Sequence, residues 1–152
     1  MALDTIKQQI SEASLREEKL VILVGPPGSG KSRILRQLSK KNNYLNLSEE
    51  LSRRLLSIPR EKRPEQVFYL LQEIVESQQE SVLLFDNIEI LFLPELDLEP
   101  LKVLSKLSRE KTIVAAWVGS FDGSQLIWSE PGRPDYKVFS TDKDYLITPI
   151  LD

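Results

Sequence analysis

The sequence predicts a three-layer α/β fold, a mostly parallel sheet between two layers of helices, and three observations carry that prediction. The runs LVILV at 20–24, VLLF at 82–85 and TIVAAWV at 112–118 are apolar, as strands buried on both faces are. Between them apolar residues recur at helical spacing, so strand and helix alternate along the chain. The first two runs end at Gly25 and Asp86, residues suited to the strand ends where ligands of open α/β sheets bind. With 152 residues, 41% apolar and 28% charged, a single domain over 1–152 is expected.

The elements follow in order. Leu3, Ile6, Ile10 and Ala13 share one face of a helix expected over about 3–18, as a cover for the sheet edge. After the strand 20–24 and the turn GPPGSGKS, Ile34, Leu35 and Leu38 mark the buried stripe of a second helix, whose basic and polar end holds Lys40 and Lys41. Residues 44–47 read as a short strand, with Ser48 capping a helix through about 56 that has Glu49 and Glu50 in its first turn. Pro59 closes that helix and Pro64 opens another, in which Val67, Phe68, Leu70, Leu71, Ile74 and Val75 repeat at helical spacing. Residues 88–93 and 98–108 read as helix interrupted around Pro94 and Pro100, with Leu101, Leu104 and Leu107 inward. The Gly-, Ser- and Pro-rich stretch 119–134 reads as a loop with room for one short element, in which Leu126, Ile127 and Trp128 need a packing partner, and 136–139 reads as an edge strand.

GPPGSGKS has the G-x-x-x-x-G-K-[ST] spacing of a phosphate-binding loop. Gly25, Gly28 and Gly30 let the backbone bend until successive N–H groups face an anion, and the helix that follows presents its positive end to the same charge. Pro26 and Pro27 stiffen the loop but carry no N–H, so the donors are expected from 28–32, including Ser29, with Arg33 beside them. Lys31 is placed to reach the outer phosphates of ATP, and the Ser32 hydroxyl to bind the Mg2+ between them. Asp86, closing VLLFD, is expected to hold the same ion, usually through water.

The composition excludes other chemistries. The chain has no histidine and no cysteine, which removes imidazole acid-base catalysis, thiolate chemistry and disulfides. A net charge of −3 gives no whole-molecule attraction to nucleic acid, so DNA contact would rest on a local patch such as Arg53, Arg54, Arg60, Lys62 and Arg63. No apolar stretch is long enough for a membrane span and no secretory signal is evident, so a cytoplasmic location is expected.

Hydrolysis also requires a group that orients water and a cation for the transition state. ATPases of the additional-strand, AAA+ type often place a glutamate directly after the strand-ending aspartate, whereas this chain has Asn87, which can hydrogen-bond water but cannot take its proton. Glu89 is the nearest carboxylate; Glu49 or Glu50 is the alternative, and so is the lack of an efficient base. Arg109 and Arg133 are candidate arginine fingers, delivered by a neighbouring subunit of a homo-oligomer if they do not reach their own site. Ser120 is the first hydroxyl available as a polar sensor, with Trp117 read as a packing residue. No helical lid domain of the AAA+ kind is expected after the sheet.

The segments LVILVGPPGSGKS, YLNLSEELSRRLL, VLLFDNIEILF, LSREKTIVAAW and SEPGRPDY, spread over 20–136, resemble the BrxF family, small P-loop proteins of the BREX bacteriophage-defence systems. The resemblance implies a bacterial ATP-binding component of a multi-protein assembly that modifies host DNA and blocks phage replication, with other BREX proteins as partners. It also implies that DNIE, with Asn87 where a glutamate is usual, is normal for the group. Three functions follow as expectations: an ATPase or ATP-regulated switch in a defence complex, a nucleotide-dependent DNA- or protein-binding adaptor with negligible hydrolysis, and a small-molecule kinase.

Overall fold

The computed structural model describes residues 2–40, 42–141 and 144–150; Lys41 of the expected basic helix end lies outside the described residues. The apolar runs form the centre of a seven-stranded sheet. β1 (Leu20–Gly25), β3 (Val82–Asp86) and β4 (Thr112–Phe121) join β2 (Tyr44–Asn46) and β7 (Leu146–Pro149) in the order β2-β3-β4-β1-β7, all parallel. β4 therefore separates the strand of the phosphate loop from the strand that ends in Asp86. Both faces of β1 are buried: Leu20, Ile22 and Val24 point into one core, Val21 and Leu23 into the other. Burying each such side chain stabilises the fold by roughly 1.5–3 kcal/mol, which explains the absence of polar alternation in the run.

The helices divide between those faces. α1 (Ala2–Ala13) and α2 (Lys31–Leu38) cover one, through Ile6, Ala13 and Leu35. α3 (Leu47–Leu55), α4 (Arg63–Glu76) and α5 (Pro100–Leu107) cover the other, through Leu51, Leu71, Ile74 and Leu104. No helical lid is present among the described residues, and no described helix is long and apolar enough to cross a membrane.

Several expectations need correction. α1 ends at Ala13 rather than near 18 and covers a sheet face rather than its edge; the chain then turns, leaving Leu15 88% exposed. The cap of α3 is Asn46, whose side chain accepts from the Glu49 N–H, and Ser48 is used elsewhere. Residues 88–92 form a 3₁₀ turn rather than α-helix, entered through the left-handed Asn87, and the interruption at Pro94 holds a second 3₁₀ turn that ends at the left-handed Asp97. The stretch 119–134 holds the one short element that it had room for, β5 (Gln125–Trp128), and its first residues extend β4. β4 runs on to Phe121 and pairs with β5, which pairs in turn with the edge strand β6 (Lys137–Ser140), both antiparallel.

β7 has no counterpart in the sequence reading. It is four residues long and ends in Pro149, which an edge strand tolerates. Its presence makes β1 an interior strand.

The turn from β4 to β5 is tied by Asp122, whose Oδ1 accepts from the N–H groups of Ser124 and Gln125 and from the Ser124 hydroxyl. These bonds, the Ser124 N–H first, hold the Asp122 carboxyl below the usual carboxylate range. The folded state thus favours the charged form, and the stabilisation is present above the ordinary aspartate pKa and lost as pH falls through the lowered value. Asp122→Ala should lower the urea midpoint at neutral pH, and the gap should narrow as pH falls through the lowered Asp122 value; a gap that stays constant as the carboxyl protonates would contradict this role.

Candidate functional site

The site is built where β1 and β3 end. At the end of β1 the chain cannot carry a side chain: a Cβ on Gly25 would lie 2.5 Å from Ser29 Oγ and 2.6 Å from the Ile150 carbonyl oxygen. At the start of α2, Gly30 has φ 100°, a left-handed backbone that other residues adopt only with strain. The loop between them is exposed at Pro26, Pro27 and Gly28, whereas Ser29 and Lys31 are buried. Lys31 Nζ donates to the carbonyl oxygens of Gly25 and Pro26, both at 2.8 Å, and to Ser29 Oγ at 3.1 Å.

Across the sheet, Asp86 is the other buried charged residue among those described. Burial of a lone carboxylate is costly, and the structure supplies donors to both of its oxygens. Ser32 Oγ donates to Asp86 Oδ2 at 2.7 Å, the Tyr44 hydroxyl to the same oxygen at 2.6 Å, and the Asn87 N–H to Oδ1 at 3.0 Å. Burial, followed by this bond to Asp86, raises the Tyr44 phenol above its ordinary pKa. The Arg36 guanidinium carbon lies 5.5 Å from the centroid of the Tyr44 ring.

Ser32, Asp86 and Asn87 border a cleft of about 400 Å³ whose charged lining is Lys31, Arg33, Arg36, Asp86 and Glu89, with Tyr44 behind Asp86 and outside the lining. Three cations, backbone donors at the start of α2 and a hydroxyl–carboxylate pair suit an anion carrying a hard metal ion. The donor set at Ser32 and Asp86 is oxygen only, as Mg2+ prefers. Among the described residues no group of three or more His, Cys, Asp or Glu could hold a metal ion.

The turn after Asp86 is pinned at both ends. Asn87 has φ 54° and ψ 59°, and its carbonyl accepts from Ser48 N–H at 3.0 Å and from the Ser48 hydroxyl at 2.5 Å. Ser48 Oγ in turn accepts from Ile90 N–H at 3.2 Å. At the far end Phe92 stacks on Trp128, centroids 3.8 Å apart, and meets the edge of buried Trp117 at 5.4 Å. Asn87 and Glu89 are exposed on this pinned turn, facing the cleft.

The remaining expected residues are placed differently. Glu49 is paired with Arg53, and Glu50 with Arg53 and Arg54, on α3. Arg109 precedes β4, at the end of the sheet opposite the phosphate loop; the register from Leu20↔Ile113 to Gly25↔Val118 puts roughly 17 Å of strand between those ends. There it pairs with Glu18 at 3.0 Å. Arg133 and Ser120 line a separate cleft of about 610 Å³ that shares Pro27 and Val118 with the phosphate cleft. On β4, it is Ala116 and Val118 that border the phosphate cleft, so no hydroxyl from that strand does.

Tyr44, Arg36 and Ser48 escape a reading of the sequence. The Tyr44–Asp86 bond spans 42 positions and belongs to no motif spacing; the one available signal is a tyrosine opening a short strand.

The chain matches the family described as ATPase family associated with various cellular activities (AAA) over residues 21–114, more than half its length. Among curated proteins none matches. Among solved structures, one titled "Structure of C. elegans PCH-2" matches with a TM-score of 0.49 and 16% identity. That match covers 97% of this chain and 41% of the other.

Replacing Ser48 by alanine removes two hydrogen bonds from the turn. Ser48→Ala should lower the unfolding free energy by about 1–2 kcal/mol in urea titrations, with Ser48→Thr retaining most of it. Unchanged midpoints would mean that the hydroxyl does not hold the turn.

Proposed function

This chain belongs to the AAA family of ATPases, and from that premise we propose that it binds Mg2+ and ATP at the cleft between β1 and β3 and hydrolyses ATP slowly until partners complete the site. The observation that carries the proposal is the Ser32–Asp86 hydrogen bond of 2.7 Å beside Lys31. Lys31 and the N–H groups at the start of α2 would hold the phosphates, and Ser32 and Asp86 the metal. The metal, when bound, neutralises charge developing on the phosphate oxygens. Glu89 is the candidate for accepting the proton of the attacking water, with Asn87 orienting it.

Dependence on partners follows from what the cleft lacks. Among the described residues no arginine beyond Arg33 and Arg36 borders it, and the strand positions beside it, Ala116 and Val118, are apolar. Members of this family commonly oligomerise, so a second copy is one source of the missing cation. Arg109, exposed at the opposite end of the sheet, would act only on a neighbour's site. The resemblance to the BrxF family supplies the wider setting: a bacterial antiphage complex in which this chain is the ATP-binding component, in contact with other BREX proteins.

A second reading, ATP-dependent assembly on DNA or protein with negligible turnover, is favoured by Asn87, which sits where a carboxylate would take the proton.

Isothermal titration with ATP and Mg2+ should show that Lys31→Ala weakens binding by about tenfold or more, the loss expected when a charged donor is removed. Glu89→Gln should bind ATP as the unaltered chain does and release no phosphate. Turnover per chain should rise with protein concentration. If Lys31→Ala binds normally, the site assignment is wrong; if Glu89→Gln retains turnover, another base operates; constant turnover at all concentrations would contradict completion by a second copy.

A further inference from the structure

We propose that Tyr44 is a positioning residue for the divalent-cation site, its phenol fixing the Asp86 carboxylate so that the Ser32 oxygen presents its lone pairs to the metal. The proposal rests on the assignment of Ser32 and Asp86 to Mg2+ and adds the group that orients them.

The direction of the protons fixes which lone pairs are free. Ser32 donates its hydroxyl hydrogen to Asp86 Oδ2 at 2.7 Å, so the lone pairs of that oxygen point away from the carboxylate. A hydroxyl can ligate Mg2+ only through those lone pairs, and Asp86 therefore sets the ligand's orientation as long as Oδ2 itself stays in place. The Asn87 N–H holds Oδ1, and the Tyr44 hydroxyl, at 2.6 Å, is the donor besides Ser32 on Oδ2. Without it, rotation of the carboxylate is opposed at Oδ2 by the very hydroxyl that it is meant to orient.

Tyr44 is itself held. It opens β2, whose Leu45 and Asn46 pair with Phe85 and Asp86 of β3, so its backbone is in register with the strand that carries the carboxylate. Its ring lies under the Arg36 guanidinium. Arg36 is four residues from Ser32 on α2, a spacing that puts both on one helix face. Contacts thus run from Ser32 through Asp86 and Tyr44 to Arg36, joining α2, β3 and β2, and both the arginine and the serine border the cleft. Groups that orient a ligand in this way typically change metal affinity by roughly 10–100-fold when removed.

Tyr44→Phe removes the hydroxyl and keeps the ring under Arg36. The test is ATP affinity of the full chain, measured by isothermal titration over a series of MgCl2 concentrations and in EDTA. The variant should need roughly tenfold more Mg2+ to reach half of its gain in affinity, with affinity in EDTA unchanged. In an Asp86→Asn background the same substitution should add nothing further, because the tyrosine acts through the carboxylate. The proposal is overturned if Tyr44→Phe follows the Mg2+ dependence of the unaltered chain, if it loses affinity equally in EDTA, or if its effect adds to that of Asp86→Asn. An unaltered chain whose ATP affinity ignored Mg2+ would instead refute the metal assignment of Ser32 and Asp86, and this proposal with it.

Discussion

The 2.7 Å hydrogen bond from Ser32 to Asp86 joins residues 54 positions apart, and the rest of the architecture can be understood as what makes it possible. Ser32 stands at the start of α2, aimed by the turn that follows β1; Asp86 stands at the end of β3. Parallel strands bring their carboxyl ends to the same side of the sheet, and β4 between them sets the separation that α2 spans. Burial enforces the pairing. Lys31 and Asp86 are the buried charged residues among those described, and each is fully engaged by groups of opposite polarity.

The same economy governs the surrounding turn. The segment after Asp86 combines a left-handed Asn87 with a 3₁₀ turn, neither of which is stable alone. Ser48 holds one end through the Asn87 carbonyl and the Ile90 N–H, and Phe92 anchors the other in an aromatic cluster with Trp117 and Trp128. The antiparallel extension of β4, β5 and β6 therefore serves the site indirectly: Trp128 of β5 and Phe139 of β6 pack against Phe92 and keep the turn that carries Asn87 and Glu89 in place.

How much of this is legible in the sequence depends on the range of the interactions. The central strands, the phosphate loop and Asp86 are readable because their signals are local: continuous apolar runs, glycines at set spacing, and a carboxylate at a strand end. The strand β7 and the pair β4–β5 are hidden because four-residue strands containing Pro149 or flanked by glycine and serine carry almost no periodicity. Ser48 looks like a helix cap, yet Asn46 takes that place because β2 stops one residue earlier than its apolar character suggests. Arg109 resembles a finger by its place at a helix end, whereas parallel topology puts that end of β4 opposite the Gly25–Ser32 loop. Tyr44 is invisible for a different reason: its partner is chosen by strand register, which no single segment encodes.

If Ser32, Asp86 and Lys31 form one metal–nucleotide site, a crystal structure with Mg2+ and a non-hydrolysable ATP analogue should show the outer phosphates against Lys31 and the N–H groups at the start of α2. Mg2+ should be bonded to Ser32 Oγ, with Asp86 in its first or water-linked shell. A triphosphate bound elsewhere, or an ion that makes no contact with Ser32 or Asp86, would contradict that assignment.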